Sequence, residues 1–282
     1  MKILIAADME GVTGVIHWDQ VNTSHPEYAR FRRLMTADVN AAVRGALAAG
    51  ADEIVVSDGH AHGRNILIEE LDAHARLNSG TPAPLSMVQG ISDGVQGVLF
   101  VGYHARIGTP NAILEHTWSD ERVADFWLRG ADQEELIQIG EIGLNAAVCG
   151  HFAVPVLMIS GDLAACTEAS QLLGAVETAV IKQATGRMAA ECLPPAHTHP
   201  LIEQAAYRAV ARLRVSLDSG KGIQPLVFKP PITMAIDFVQ SEMADKAALL
   251  PGAQRTSRRI EYSGQNMLEI YRAFRTTLAL AR

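Results

Sequence analysis

Lys2-Ile-Leu-Ile-Ala-Ala-Asp-Met-Glu-Gly11 decides how this chain is read, because a short, mostly apolar strand runs without a break into two carboxylates and a glycine. A strand apolar on both faces belongs inside a sheet covered by helices on both sides, as in parallel α/β proteins. The same arrangement recurs twice, with Glu53 to Ser57 running into Asp58-Gly-His60 and Val98 to Tyr103 running into His104. The carboxyl ends of parallel strands share one edge, where open α/β proteins hold their ligands. Asp8, Glu10, His60 and His104 are therefore expected at one place.

Outward from the first strand, a polar loop from Gly11 to about Pro26 leads to a helical pattern over Glu27 to Ala49, ended by Gly50. Its apolar positions Phe31, Leu34, Met35, Val39, Ala42, Val43, Ala46 and Leu47 keep helical spacing, so residues 2 to 57 read as a βαβ unit. Residues 61 to 97 are less regular, with a turn expected at Gly80-Thr-Pro-Ala-Pro84. From 105 to 140 the signals are few: turn chemistry at Gly108-Thr-Pro110, and an acidic stretch, Asp132 to Glu135, read as a solvated loop or edge. Glu141 to Gly150 reads as helix, and Val154 to Ile159 as a buried strand closed by Ser160-Gly161-Asp162, with Asp162 capping the next helix. The Pro-rich passage at Pro194-Pro195, with His197, His199 and Pro200, reads as a boundary. The expected architecture is an α/β body with a mostly parallel sheet flanked by helices over residues 1–192, and a smaller α+β unit over 193–282. In that unit 202–217 is expected to be helical, 232–239 and 258–262 extended, and 265–281 helical.

Composition agrees with this class. Of the 282 residues 48% are hydrophobic but only 5% aromatic, the aliphatic mixture of helices layered on a buried sheet. A net charge of −7 with no run of Lys or Arg repels a phosphate backbone, so no nucleic-acid partner is expected. Cys149, Cys166 and Cys192 form no C-x-x-C pair and read as reduced, buried thiols of a cytoplasmic protein. Asp8 and Glu10 interrupt the first apolar stretch far short of a signal-peptide core, and no stretch approaches a membrane span, so neither export nor a membrane partner is expected.

The chemistry of the strand ends points to a metal. With side chains alternating along an extended segment, Asp8 and Glu10 project the same way while Met9 turns into the core. Two such carboxylates repel unless one takes up a proton or a divalent cation neutralises both. His60 and His104 complete an oxygen and nitrogen ligand set suited to Zn²⁺, and acceptable to Mn²⁺ or Co²⁺. Glu141, in Ile139-Gly-Glu-Ile-Gly-Leu-Asn145, is the best fifth ligand, its flanking glycines allowing close backbone approach. His62 competes with His60, and Asp58 reads either as a ligand or as a turn cap. His197-Thr-His199 reads as solvated loop, and His116 either as a catalytic base or as a surface histidine.

Taken in order, Asp8-Met-Glu-Gly11 with Gly14, Ser57-Asp-Gly-His60 with Arg64-Asn65, Gly102-Tyr-His-Ala-Arg106 with Gly108-Thr-Pro110, His116-Thr117, Gly140-Glu-Ile-Gly-Leu-Asn145 and Pro155-Val-Leu-Met158 with Gly161-Asp162 resemble the DppA-type D-aminopeptidases. Six ordered motifs are far more specific than any one of them. The resemblance is dense over residues 1 to 195 and looser beyond. It implies a dinuclear zinc peptidase that removes N-terminal D-amino acids, D-alanine above all, from short peptides, built as a ring-based homo-oligomer, a decamer. The implied metal ligands are Asp8, Glu10, His60, His104 and Glu141, with Asp8 bridging two Zn²⁺ per subunit, and the implied catalytic residue is His116. One departure is a longer stretch between His116 and Glu141, with Ala131-Asp-Gln-Glu-Glu-Leu136 in place of a tight turn, which leaves the preferred peptide open. The residues alone also admit a dinuclear hydrolase of another amide or of a phosphoester, and a non-catalytic peptide binder.

Overall fold

A computed structural model describes all 282 residues. Twelve strands occur in chain order: β1 Lys2–Ala7, β2 Glu53–Asp58, β3 Ala75–Asn78, β4 Gly97–Tyr103, β5 Val123–Arg129, β6 Ile137–Gln138, β7 Val156–Asp162, β8 Glu177–Gly186, β9 Ala189–Cys192, β10 Ile232–Phe238, β11 Gln254–Thr256 and β12 Arg259–Gly264. The six helices are α1 Tyr28–Ala48, α2 Glu141–His151, α3 Leu163–Leu173, α4 Pro195–Ser219, α5 Ser241–Ala247 and α6 Met267–Leu280. Seven strands form one sheet in the order β3-β2-β1-β4-β7-β8-β9, parallel except for β9. The other five form an antiparallel sheet in the order β11-β12-β10-β5-β6.

Strand alternation sorts the core. Ile3, Ile5 and Ala7 of β1 pack under α1 and α4, whereas Leu4 and Ala6 face the opposite side, where α2, α6 and the second sheet share one cluster. The chain leaves β1 toward β2 and β3, then returns to place β4 on the other side of β1. That reversal between β1 and β4 is the kind of crevice at which parallel sheets bind ligands.

The expected division at 192/193 does not coincide with these layers. Pro195 opens α4, a position at which its missing N–H and fixed φ suit a helix, and α4 lies along α1 over the parallel sheet. The second sheet takes β5 and β6 from residues 123–138, ahead of the boundary, and β10 to β12 from beyond it. Composition marks a proline cluster, but only packing tells whether it separates units or starts a helix. The Asp132 to Glu135 stretch lies in the exposed loop between β5 and β6. Strands β8 and β9 extend the sheet through a stretch in which no strand is expected. Cys149 and Cys166 are buried and Cys192, on β9, is exposed; all three are free thiols. No helix is long and apolar enough to cross a membrane.

Two close approaches hold the carboxyl edge together. A Cβ on Gly11 would lie 2.0 Å from the Tyr103 carbonyl oxygen, so only glycine lets the loop after β1 sit against the end of β4. Beneath this loop the buried Lys182 of β8 donates to the carbonyls of Glu10, Val12 and Val15 at 2.7, 3.0 and 2.6 Å. Burial lowers Lys182 from 10.5 to about 8. The unfolded chain therefore binds this proton more tightly, and the group's contribution to stability rises with pH between about 8 and 10.5 and is flat below. Lys182→Met, which strands three buried carbonyls, should cost about 2–4 kcal/mol and abolish that rise, as read by urea unfolding at pH 7, 9 and 10.

Candidate metal centre

Asp8 and Glu10 leave β1 in a turn, not in an extended segment: Met9 N–H donates to Asp8 Oδ1 at 2.9 Å and Val12 N–H to the Met9 carbonyl at 3.1 Å. The turn still buries Met9 and directs both carboxylates to one spot, because the Asp8 and Gly11 amides bond to the carbonyls of Val101 and Gly102 at 2.9 and 2.8 Å. His60 Nδ1 lies 3.5 Å from Asp8 Oδ1 and 3.2 Å from Glu10 Oε2. On the other side His104 Nε2 lies 3.5 Å from Asp8 Oδ2 and 3.2 Å from Glu141 Oε1. Asp8 thus stands between two half-sites and turns one oxygen to each.

Glu141 is the first residue of α2, where a carboxylate is favoured by the helix dipole. A Cβ on Gly140 would fall 2.5 Å from Arg106 Cβ, so the glycine before it permits the approach. His116 joins from the loop after β4, its Nε2 3.7 Å from Glu141 Oε1 and its ring stacked on His104 with centroids 4.1 Å apart. All five expected ligands and His116 are brought together. His62 is exposed, and Asp58 is a cap: its carboxylate accepts from the backbone of Asn65 and Ile66 at 2.6 and 2.8 Å. Asn65 in turn donates to the His60 carbonyl at 2.7 Å and accepts from Tyr28 Oη at 2.7 Å, fixing the turn that carries His60. His197 and His199 lie within α4, and His199 faces the buried Asp38 at 3.4 Å.

Each histidine presents a defined face. His60 Nε2 lies 2.9 Å from the Val21 carbonyl, His104 Nδ1 2.9 Å from that of Ala105 and His116 Nδ1 2.9 Å from that of Leu114. A carbonyl only accepts, so these nitrogens carry protons, and the other nitrogen of each ring faces the carboxylate cluster, where it can hold a second proton or give its lone pair to a cation. Asp8 Oδ2, Glu10 Oε2 and His104 Nε2 are buried without a hydrogen-bond partner. An unmet buried polar atom costs about 1–3 kcal/mol, and a divalent cation answers all of these vacancies with one object. The donor set fits one. Ligand atoms of Asp8, Glu10 and His104, and those of His104, His116 and Glu141, lie within 4.8 Å of one another.

Without a cation, protons take its place. Burial and the Glu10 carboxylate push Asp8 up to about 7. Burial acts upward on Glu10 too, but His60 outweighs it and holds the group well below its ordinary range. Against burial, Glu10 and Asp8 hold His60 well above its usual value, and Glu141 does the same for His104. His104 also outweighs burial at Glu141 and lowers it. His116 differs, since burial and the neighbouring His104 lower it, leaving a neutral base at pH 7.

The comparisons with known proteins follow the same lines. A family model described as D-aminopeptidase matches residues 1–276. The chain belongs to the D-aminopeptidase family. A D-aminopeptidase from Bacillus subtilis (strain 168) is 34% identical over 284 residues, which span 100% of this chain and 98% of the relative. A solved structure, described as the Zn-dependent D-aminopeptidase DppA from Bacillus subtilis, a self-compartmentalizing protease, superposes with a TM-score of 0.91 at 34% identity, covering 100% of this chain and 98% of that one.

Three members of this D-aminopeptidase's framework do more than a reading by motif gives them. Asp162 caps α3 as expected, accepting from Ala165 N–H at 2.8 Å, yet its second oxygen accepts from Ile113 N–H at 2.7 Å and pins the loop that delivers His116. Lys182 and Trp18 are the others. A lone lysine inside the apolar run Val180-Ile-Lys182 was the available signal for the first; Trp18 left none. Zn²⁺ added to the metal-free protein at pH 7 should displace protons from His60, His104 and Asp8, about two to three per subunit, with affinity falling as pH falls. Calorimetry in buffers of different ionisation enthalpy measures that number.

Proposed function

We propose that the protein is a zinc-dependent aminopeptidase that hydrolyses N-terminal D-amino acids, with D-alanine-like first residues, from short peptides or amides. The observation that carries the reading is the placement of Asp8 between two half-sites, one oxygen toward His60 and the other toward His104. In this reading Asp8, Glu10 and His60 would hold one Zn²⁺ and Asp8, His104 and Glu141 a second, with Asp8 serving both. When bound, the pair supplies a Lewis acid for the scissile carbonyl and makes water more acidic.

The chain's own residues do the rest. Leu114 fixes the proton of His116 on Nδ1, so Nε2 is free to take a proton from attacking water and return it to the leaving amine. Its lowered pKa keeps that nitrogen unprotonated at neutral pH, and Glu141, 3.7 Å away, steadies the ring once charged. The loop delivering His116 is held against local preference: Asn111, Leu114 and Trp118 all have positive φ, at 53°, 49° and 65°. Strain of this kind persists only where surroundings over-determine it, and it collects at functional sites. Here the Asp162 bond to Ile113 and the Glu141 bond to Trp118 N–H, 2.8 Å, supply that determination.

The self-compartmentalizing assembly and zinc dependence described for the Bacillus subtilis structure support a homo-oligomeric zinc enzyme. The test is turnover by the zinc-loaded protein of D-Ala and L-Ala amides, p-nitrophenyl phosphate and a cyclic amide. Hydrolysis of the D-Ala amide is expected, and hydrolysis of the phosphate alone refutes the reading. His116→Ala should keep its metal, by elemental analysis, while kcat falls by about 10² or more. Asp8→Ala should lose both ions, because a shared ligand serves each.

A further inference from the structure

Two rings of the cluster are its most exposed members. Side chains of Asp8, Glu10, His104 and Glu141 are at most 6% exposed, whereas His60 is 11% and His116 10% exposed. A molecule entering from solvent therefore meets these two rings first. One short segment touches both, since Val21 accepts from His60 Nε2 and the Trp18 ring meets His116 edge-on with centroids 5.4 Å apart. That segment is a single 3₁₀ turn, Trp18–Gln20, closed by Gln20 Oε1 accepting from the backbone of Ile16 and His17 at 2.7 and 3.0 Å.

Trp18 has a second partner besides the histidine. Arg187, in the turn between β8 and β9, places its guanidinium carbon 5.6 Å from the indole centroid. The same arginine pairs with the Glu115 carboxylate, donates to the Glu115 carbonyl at 3.1 Å and accepts from Leu114 N–H at 2.9 Å. Three segments far apart in sequence are thereby joined at one indole, next to the proposed catalytic ring. The indole is a large, flat wall with little freedom to move aside.

We propose that Trp18, braced by Arg187, forms the wall of the entrance beside His116 and restricts the first residue of the substrate to a small side chain. The proposal rests on the peptidase reading and names the residue that sets its side-chain selectivity. If Trp18 serves packing alone, its removal lowers stability and slows every substrate alike. A wall instead changes the ratio between substrates, because a pocket distinguishes single methylene groups by about 10–200-fold.

The experiment measures kcat/KM of the zinc-loaded wild type, Trp18→Ala, Trp18→Phe and Arg187→Ala on D-Ala and D-Leu p-nitroanilides, with zinc content and melting temperature alongside. In Trp18→Ala the D-Leu to D-Ala ratio should rise by about tenfold or more, and in Trp18→Phe by less. Arg187→Ala keeps the indole but frees it, so a smaller rise is expected there, and this variant carries the test if Trp18→Ala does not fold. An active wild type whose ratio is unchanged in the folded variants overturns the entrance role and leaves the peptidase reading standing. A zinc-loaded wild type inert toward both anilides overturns the peptidase reading and the entrance role with it.

Discussion

Two buried carboxylates that cannot both be ionised alone govern this structure. Asp8 and Glu10 sit within reach of the same imidazole nitrogen, sealed from water, and their mutual repulsion must be answered by protons or by a cation. The surrounding groups present the donor atoms that a cation would need. Three histidines are each tied by one nitrogen to a backbone carbonyl, which commits the other to the cluster.

Holding such a site requires backbone that does not relax away from it. The fold meets that need with buried charges turned on the main chain. The Asp58 carboxylate fastens the turn behind His60, Asp162 the loop before His116, and the Lys182 ammonium the three carbonyls of the Glu10 loop. Charge-assisted bonds to backbone are stronger than neutral ones, and each here replaces the regular hydrogen bonding that a strand end gives up. The cost of this arrangement is visible in the raised Asp58 and lowered Lys182, where burial penalises the charged form.

The sheet supplies the common reference frame. The strands bearing Asp8 and His104 are neighbours at the reversal of strand order, and β2, bearing His60, is next to β1. Parallel pairing in register brings all three ends to one level, so Asp8, His60 and His104, far apart in sequence, need only a short turn each to meet. Glu141 and His116 come from the far side, one at a helix start and one on a strained loop, and close the cluster against the second sheet's half of the core.

What the amino-acid order determined by itself was the parallel α/β body, the gathering of Asp8, Glu10, His60 and His104 at one strand edge and, through six ordered motifs, the family. These rest on local periodicity and on residue types whose chemistry admits few uses, such as carboxylates and imidazoles directly after apolar strands. The tertiary structure alone decided that α4 belongs to the parallel sheet, that β5 and β6 pair with β10, that Asp58 caps while His60 faces the cluster, and that Trp18 reaches His116. Those outcomes depend on which surfaces meet after the chain has folded. Burial, register and the direction of a side chain are properties of neighbours brought together across hundreds of residues, and no local pattern records them.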